Sequence, residues 1–515
     1  MRKQFRIFIS GFIVFYLGLT YFFPLFLWTL PVVGPLLAIA FYDYFQSKHT
    51  VRRNFPLLGH FRYLFESIRP EINQYFVESN TDGMPFNREL RSLAYQRAKG
   101  DVDTLPFGTQ RDVYQEGYEW VNHSLHPVSV DPKNLRVTIG GPDCLQPYSA
   151  SLFNISAMSF GALSKNAILA LSSGARQGNF YHNTGEGSVS PYHLQGGGDL
   201  VYQIGTGYFG CRDESGNFSA EKFKEVVKNP QIKMIEIKLS QGAKPGHGGI
   251  LPAKKLSLEI ASIRGVPMGK DVLSPPGHRA FKNAKELCYF IRELRNLSSG
   301  KPIGFKLCLG IESEFTELCL AMIETHITPD FITVDGAEGG TGAAPLEFSN
   351  SVGTPLREGL TFVRNALVGY GLKDKIKIIA SGKVITAFDV LRNLALGADL
   401  CNSARGMMLA LGCIQALRCN TNKCPVGIAT QDSELSDGLN VPDKAQRVSH
   451  FHFETMHSIA EMMGAMGIDS TLKMTPRLIQ RRTATGIKNY EEIYNFVKFN
   501  IFINSKENSQ HNRAS

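Results

Sequence analysis

The sequence predicts an α/β protein built on a (β/α)8 barrel, which an N-terminal transmembrane hairpin and a helical connector precede. The chain opens on a long uncharged apolar run, continues as a polar stretch, and from about residue 150 alternates short apolar segments with Gly-rich loops and helix-like stretches. Strands that alternate with helices pair in parallel, and eight such units close into a barrel. The predicted domains are a membrane anchor (1–48), the connector (49–148), the barrel (149–485) and a polar C-terminal tail (486–515).

The anchor is predicted from the 36 residues between Arg6 and Asp43, none of which carries a formal charge. One span needs about 20 residues, so the run is long enough for two short spans. Prolines at 24, 31 and 35 suit a turn between them.

Basic residues flank the apolar run on both sides and set its expected orientation. They are Arg2, Lys3 and Arg6 before it, and Lys48, Arg52 and Arg53 after it. The positive-inside rule then places both ends of the hairpin, and the barrel, on the cytoplasmic side of the cytoplasmic membrane. A cleaved signal peptide ending at Ala38-Ile39-Ala40 is disfavoured because the apolar region is too long. A buried pair of globular helices stays open as the alternative.

Composition excludes two other classes of protein. The net charge of +9 is modest for 515 residues, and no block of Lys and Arg interleaved with aromatic residues predicts a nucleic-acid groove. Nine cysteines without regular pairing argue against a secreted disulfide framework and fit a reducing compartment.

The barrel is predicted from eight short apolar segments, most of them separated by a helix-like stretch. They are residues 152–158, 179–183, 200–204, 234–239, 303–309, 331–336, 376–381 and 399–404. Polar and Gly-rich residues come directly after these segments, at the face where barrels carry their active sites.

Three of the loops that follow strands suit an anion such as a phosphate. GAEGGTGAAP (336–345) leaves backbone N–H groups open, and SGK (381–383) and SARG (403–406) follow the seventh and eighth strands, where barrels commonly bind phosphate. Tight turns without a ligand remain the alternative.

Two earlier loops contain residues suited to a small acid. HNTGEG (182–187) and SQGAKPGHGG (240–249) contain Glu186, Gln241, Lys244 and His247, and Arg264 follows. Lys and Arg recognise carboxylates, while Glu186 or His247 can transfer protons. Each alone reads more simply as a solvated loop residue; their convergence on one barrel face favours a site.

Cys413, Cys419 and Cys424 form a compact C-x5-C-x4-C set followed by Pro. Thiolates favour an iron–sulfur cluster over a hard cation. Zinc is less favoured, because a closed site needs four ligands and no His lies nearby in sequence. Small buried cysteines without a metal are the alternative.

From about 150 to 435 the chain resembles the FMN-binding synthase domain of glutamate synthase. The matching motifs, in order, are SAMSFGALS, NTGEG, SQGAKPG, LSPPGH, VDGAEGGTGAAP, ASGKV and GC-x5-C-x4-CPVGIATQ. The resemblance implies a barrel that holds FMN and a 3Fe–4S cluster on the three cysteines. It also implies an electron donor such as ferredoxin or a reductase subunit, and hydride transfer to 2-iminoglutarate, formed from 2-oxoglutarate and ammonia, to give L-glutamate.

The resemblance also assigns roles by motif. Lys244 and Arg264 fall where the family binds the 2-oxoglutarate carboxylates, and Glu186 matches its acidic residue near the imine. The residues implied to line the flavin ring are Met158, Ser159, Gln203, Lys306, Asp335, Gly339, Gly340, Thr341 and Gly342. Those implied at its phosphate are Ser381, Gly382, Lys383, Arg405 and Gly406.

The chain departs from the family at two substrate-side positions. His247 and Ile250 stand where the family has Glu and Gln. Three hypotheses follow. The first is a membrane-anchored glutamate synthase-type enzyme that takes ammonia from solution or a partner, since no glutaminase domain is recognised. The second is a flavin oxidoreductase that acts on another small acid and exchanges electrons with quinone or ferredoxin, and the third is a non-catalytic membrane scaffold.

Overall fold

The computed structural model describes residues 2–503, which divide into two units, 2–88 and 89–503. The predicted domain boundaries at 48, 148 and 485 stay a prediction. Of the predicted tail, residues 504–515 lie outside the described residues.

The first unit is helical. Its helices are α1 (Arg2–Phe22), α2 (Leu30–Phe45), α3 (Thr50–Asn54) and α4 (Leu58–Ile72), with a 3-10 segment at Pro24–Thr29 and a π-helical turn at Asn73–Val77. Pro24 begins the 3-10 segment and Pro31 lies in the first turn of α2, where a missing backbone N–H costs nothing. By length and composition, Arg2–Phe22 and Pro24–Phe45 are candidate membrane spans.

The second unit is built around a closed eight-stranded parallel barrel. Its strands, in order around the barrel, are β4 (Phe153–Ile155), β5 (Tyr181–Asn183), β6 (Asp199–Ile204), β7 (Ile232–Lys238), β10 (Ile303–Leu307), β11 (Phe331–Asp335), β12 (Lys377–Ser381) and β13 (Leu400–Ser403). Each lies within or overlaps one of the eight predicted segments, so the (β/α)8 prediction is confirmed.

The remaining strands are short antiparallel pieces outside the barrel. They are β1 (Glu119–Val121), β2 (Arg136–Ile139), β3 (Tyr148–Ser151), β8 (Ile250–Leu251), β9 (Val272–Leu273), β14 (Ile479–Thr483) and β15 (Gly486–Asn489). β1, β14 and β15 form one sheet, β2 pairs with β3, and β8 pairs with β9.

Helices surround the barrel and connect its strands. They are α5 (Arg88–Lys99), α6 (Lys165–Gly178), α7 (Pro191–Gly196), α8 (Ala220–Val227), α9 (Leu258–Arg264), α10 (Ala284–Leu297), α11 (Glu312–Thr325), α12 (Leu346–Ser351), α13 (Leu356–Gly369), α14 (Ala387–Ala395), α15 (Arg405–Ala410), α16 (Ser433–Ser436), α17 (Val441–Ala465) and α18 (Tyr490–Ile493).

Capping residues start these helices where the strand-end loops finish. The hydroxyl of Ser164 accepts from the N–H of Ala167 at the start of α6, and Thr386 forms a capping box with Asp389 at the start of α14. Such caps satisfy backbone N–H groups that have no partner within the helix. They therefore fix where each loop ends and hold the loops that contain the predicted site residues.

The structure continues past the predicted start of the tail. β15 and α18 occupy residues 486–493, and Tyr490 is fully buried with its hydroxyl donating to Glu119 Oε1 at 2.7 Å. Arg357 and Arg392 also contact the Glu119 carboxylate. A buried carboxylate surrounded by donors thus ties this segment to β1.

Candidate functional site

The predicted site residues gather at the carboxyl ends of the barrel strands. Glu186 follows β5, Lys244 follows β7, Asp335 ends β11 and Ser381 ends β12. Because all eight strands are parallel, their carboxyl ends lie at one face of the barrel. The loops that carry these residues therefore share that face.

Glu186 lies among three cations. Its Oε1 is 3.2 Å from Nζ of Lys238, and Lys244 and Arg264 act on it electrostatically. Burial opposes ionisation, but the three positive charges outweigh it and lower the pKa of Glu186. The group is therefore a carboxylate at neutral pH, so it can accept hydrogen bonds and stabilise positive charge but cannot donate a proton.

Glycines keep other side chains away from this carboxylate. A Cβ on Gly205 would lie 2.7 Å from Cβ of Glu186, and one on Gly249 would overlap its carboxyl group. Gly205 follows β6 and Gly249 precedes β8. Two further loops thus approach Glu186 so closely that a Cβ at either position would force its side chain to move.

Arg264 ends α9 and is buried, with 5% of its surface exposed. Its Nη2 donates to the carbonyl of Phe160 at 3.1 Å, and its guanidinium lies 5.1 Å from the ring centre of Phe209. Burial lowers the pKa of Arg264 to about 10, an effect that Glu186 opposes. The Nε atom has no hydrogen-bond partner among the described residues. A buried guanidinium with an unused donor suits an anionic ligand.

Lys244 supplies a second buried cation. Burial lowers its pKa, Glu186 opposes that effect and Lys238 adds to it. Within the described part of the chain, no carboxylate lies within ion-pair distance of the Lys244 ammonium. Gln241 precedes it in the same turn, where its carbonyl accepts from the N–H of Lys244 at 3.3 Å.

The two departures from the family pattern lie on the same loop. His247 is half-buried, with Nδ1 2.8 Å from the carbonyl of Gly248 and its ring packed edge-on against Phe348. Ile250 lies in β8, opposite Leu273 of β9. An aliphatic side chain therefore occupies a strand position where the family has an amide.

The barrel interior contains a polar centre that sequence analysis missed. The buried carboxylate of Glu236 accepts from Asn183 at 2.8 Å, from Gln203 at 2.6 Å and from the hydroxyl of Thr333 at 2.6 Å. Gln203, predicted to line the flavin, thus gives its amide N–H to Glu236. The one signal in the sequence is an acidic residue inside the apolar run IKMIEIK.

Lys306 and Asp335 form a second buried ion pair at 3.2 Å. Burial disfavours the ammonium, but Asp335 and then Glu236 outweigh it and raise the pKa of Lys306. The N–H of Gly242 donates to Asp335 at 2.9 Å. Lys306 therefore stays protonated, and Asp335 ties the loop after β7 to the end of β11.

The predicted phosphate loops are adjacent. Nη2 of Arg405, in the first turn of α15, donates to the carbonyl of Thr341 at 2.8 Å. A Cβ on Gly340 would lie 2.6 Å from Nε of the same arginine. Ser381 pairs with Asp335 in the barrel register, and Gly382 has a φ of +139°. A guanidinium and several Gly-rich backbone segments thus converge as a phosphate site requires. Lys383, Gly339, Gly342 and Gly406 lie in the same loops.

Met158 and Ser159 lie on the loop after β4. Met158 is buried, and its carbonyl is 3.4 Å from Nε2 of His193. A Cβ on Gly185 would come within 3.0 Å of the Ser159 nitrogen, so the loop carrying Glu186 packs directly on this one. Contact of these residues with a flavin stays a prediction.

The cysteine segment follows α15 and brings its three thiols near one another. Burial raises the pKa of Cys413, the neighbouring thiols Cys419 and Cys424 add to the rise, and Arg405 opposes it. Gln415, Leu417 and Asn422 adopt left-handed backbone conformations, each a cost of roughly 1–2 kcal/mol. The segment is thus held in a strained conformation.

No three His, Cys, Asp or Glu side chains among residues 2–503 converge on a single metal ion. In a three-iron or four-iron cluster each cysteine binds a different iron, so the thiolates stand farther apart than the ligands of one ion. Three neighbouring thiols without a histidine fit the donor chemistry of such a cluster. The cluster itself stays a prediction.

Lys255 anchors the cysteine segment and was not predicted. Its buried ammonium donates to the carbonyls of Cys419 at 2.7 Å, Ala429 at 3.0 Å and Ala162 at 3.3 Å. Burial lowers its pKa, an effect that Cys419 and Cys424 oppose. One side chain thereby fastens the middle of the segment, and the residues that follow it, to the loop after β4.

Comparison with known proteins identifies the family. The conserved region in glutamate synthase matches residues 129–469. A Bacillus subtilis protein, the glutamate synthase large subunit-like protein YerD, is 37% identical over 482 residues, which cover 86% of this chain and 91% of that protein.

A second relative matches a smaller part of the chain. The archaeal glutamate synthase [NADPH] of Methanocaldococcus jannaschii is 35% identical over 317 residues, 61% of this chain and 59% of that protein. The chain thus spans about three fifths of this relative's length. Among solved structures, the flavin-binding domain of baker's yeast flavocytochrome b2 aligns with 81% of this chain and 85% of its own length. The TM-score of 0.42 and the identity of 15% are too low for this likeness to bear on function. On the match over residues 129–469 and the near full-length similarity to YerD, this chain belongs to the glutamate synthase family.

Proposed function

We propose that this chain is an FMN- and iron–sulfur-dependent oxidoreductase that converts 2-oxoglutarate and ammonia, through 2-iminoglutarate, into L-glutamate. The observation that carries the proposal is the position of Glu186 among the buried cations Lys238, Lys244 and Arg264. A dicarboxylate with a cationic iminium nitrogen needs two positive groups and one negative group, and this site supplies them.

Each of these residues has a defined task in the proposed reaction. Lys244 and Arg264 bind the two carboxylates, with the guanidinium able to do so through two parallel N–H donors. The ionised Glu186 accepts hydrogen bonds from the substrate nitrogen and favours the iminium over the neutral imine. Lys238 holds Glu186 in its charged state. Hydride addition at the iminium carbon then gives L-glutamate directly.

FMN, when bound, supplies the hydride. Lys306 and Asp335 would hold the ring side, because a buried ammonium near the flavin favours its anionic reduced form. Ser381, Gly382, Lys383, Arg405 and Gly406, with the loop 339–342, would hold the phosphate. Arg405 donates to Thr341 and also affects Cys413 electrostatically, so the proposed phosphate site adjoins the cysteine segment.

Cys413, Cys419 and Cys424 would hold the cluster, which would supply electrons one at a time from a donor such as ferredoxin or a reductase subunit. The two apolar helices α1 and α2 support a membrane anchor. Under this proposal both ends of the hairpin, and the barrel, lie on the cytoplasmic side of the cytoplasmic membrane.

An assay with the purified full chain tests the reaction. 2-Oxoglutarate, ammonium and chemically reduced ferredoxin are supplied, and L-glutamate is measured. Lys244→Met should raise KM for 2-oxoglutarate at least about tenfold, the loss expected for one charge-assisted carboxylate contact. Lys224→Met, which removes an exposed lysine of α8, is the matched control. No glutamate from protein with full flavin and iron content would refute the proposal.

A second candidate is a flavin oxidoreductase for a different small acid, exchanging electrons with quinone or ferredoxin. Ile250 in β8 favours it, because an aliphatic side chain there removes an amide from the substrate loop. Ile250→Gln should then improve turnover of 2-oxoglutarate relative to that other acid. If the wild type already prefers 2-oxoglutarate among small keto acids, the second candidate fails.

A further inference from the structure

Helix α4 presents an apolar stripe to solvent. Phe61, Leu64, Phe65, Ile68 and Ile72 recur at the three- and four-residue spacing of one helix face, and Phe76 continues the stripe into the π-helical turn. These side chains are 38–84% exposed. The charged residues Arg62, Glu66 and Arg69 lie along one side of the stripe and behind it, so the helix is amphipathic.

Within the first unit, the described residues leave this stripe exposed. Gly59 is the one buried residue of α4 among those the structure describes. Helices of this length in proteins are stabilised mainly by packing an apolar face, and isolated ones are marginal in water. An exposed aromatic and aliphatic stripe therefore indicates a binding surface.

The start of α4 is fastened to the end of α2. The fully buried carboxylate of Asp43, near the last turn of α2, accepts from the N–H of Leu57 at 3.0 Å and lies 2.8 Å from Nε2 of His60. A Cβ on Gly59 would come within 2.8 Å of Cα of Arg52, so α3 and α4 also pack closely. If α2 spans a bilayer, α4 begins where that span reaches the surface.

Basic residues precede α4 at this same point. Lys48, Arg52 and Arg53 lie between α2 and α4, and the guanidinium of Arg52 lies over the ring of Tyr63 at 4.4 Å. Cations beside an amphipathic helix favour anionic lipid headgroups. The charges on α4 itself are balanced, so the attraction to anionic lipid comes from the basic residues between α2 and α4.

We propose that α4 lies along the cytoplasmic surface of the bilayer, with the stripe from Phe61 to Phe76 inserted among the lipid headgroups. The inference rests on the membrane anchoring proposed above. Two spans and a surface helix would then fasten the first unit to the membrane.

Fluorescence quenching by brominated lipids tests the proposal on the full chain in phosphatidylcholine–phosphatidylglycerol vesicles. The chain has two tryptophans, Trp28 and Trp120. Trp28→Phe and Trp120→Phe remove both, and Phe65→Trp then places a probe on the stripe while Glu66→Trp places one on the polar face. Lipids brominated near the headgroup should quench the probe at 65 strongly and the probe at 66 weakly. Phe76→Trp gives a second probe on the stripe if the first variant folds poorly.

Native Trp28 separates this proposal from the anchor on which it rests. In the Trp120→Phe chain, quenching of Trp28 reports insertion of the hairpin. Quenched Trp28 with an equally weak response at 65 and 66 overturns the surface helix alone. Unquenched Trp28 overturns both. The probe at 65 can also be shielded from iodide without being quenched by lipid. If the protein is then dimeric in detergent, the stripe binds a second copy of the chain, and the proposal is overturned.

Discussion

The ammonium of Lys238 lies 3.2 Å from the carboxylate of Glu186. Lys238 is the last residue of β7, and Glu186 lies on the loop after β5. Lys238 is buried and Glu186 is mostly buried, and two further cations, Lys244 and Arg264, act on the same carboxylate. Without Lys238, burial of Glu186 would weigh more heavily in favour of the protonated acid. Lys238 thus sets the protonation state of the acidic residue while Lys244 and Arg264 remain available for substrate.

Lys238→Met should shift the acidic limb of the rate profile to higher pH. The wild-type pKa of Glu186 is lowered against the opposing effect of burial, and loss of one cation moves it back up. Activity that depends on ionised Glu186 is then lost at a higher pH as the solution is acidified. The measurement is kcat/KM for 2-oxoglutarate against pH, with Lys224→Met as the control for loss of an exposed positive charge. An unchanged acidic limb in Lys238→Met would show that Glu186 does not control it.

Lys255→Met should loosen the cysteine segment. It leaves three carbonyls without a donor, those of Cys419, Ala429 and Ala162, at a cost on the order of 1–3 kcal/mol for each buried group. Iron and sulfide per flavin should fall while the barrel keeps its thermal transition. Trypsin should cleave faster after Arg418 and Lys423, which are exposed in this segment.

The neighbouring exposed Lys254 supplies the control for that prediction. Lys254 and Lys255 lie in one 3-10 turn, Ala253–Lys255. Lys254→Met removes a positive charge from this turn without touching the three carbonyls. Equal iron content and equal cleavage rates in the two variants would mean that Lys255 does not hold the segment. The proteolysis readout keeps the prediction testable even in protein purified without a cluster.

Gly242→Ala should separate the loop after β7 from the end of β11 and the loop that follows it. A Cβ at 242 would overlap the carbonyl oxygen of Gly336, and the N–H of Gly242 bonds to Asp335. Separating these loops should lower the free energy of unfolding by about 3 kcal/mol or more and reduce flavin content. Gly310→Ala, which meets nothing within 4 Å, should change neither by a measurable amount. Similar stability in the two variants would contradict the close approach of the loops.

The eight strands are predictable from the sequence because each is a short apolar run with a Gly-rich loop behind it. The common face of Glu186, Lys244 and Arg264 is predictable because parallel strands end together. The roles of Glu236 and Lys238 are not predictable, because an apolar run does not reveal which of its residues point inward. Nor is the pairing of β1 with β14, in which Glu119 lies opposite Arg481, because partners so distant in sequence share no local pattern.

Buried histidines make the stability of the second unit sensitive to acid. His452 of α17 stacks on Phe180 at 3.9 Å between ring centres, and its Nε2 lies 2.9 Å from the hydroxyl of Ser151. Burial, and to a smaller extent Arg136, lowers the pKa of His452 to about 3. Near pH 6.5 and below, the unfolded chain binds a proton that the folded chain does not. This histidine alone should therefore cost about 1.4 kcal/mol of stability per pH unit between its unfolded and folded pKa values.

His452→Gln should reduce that acid sensitivity. The variant loses the ring stacking and should be less stable than wild type at pH 8, but it should lose less further stability between pH 7 and pH 5 because one titrating group is gone. His457→Gln, an exposed position on the same helix, should follow the wild-type curve. Thermal unfolding of the three proteins across this pH range is the measurement. Parallel curves for His452→Gln and wild type would mean that His452 takes up a proton in the folded chain as readily as in the unfolded one.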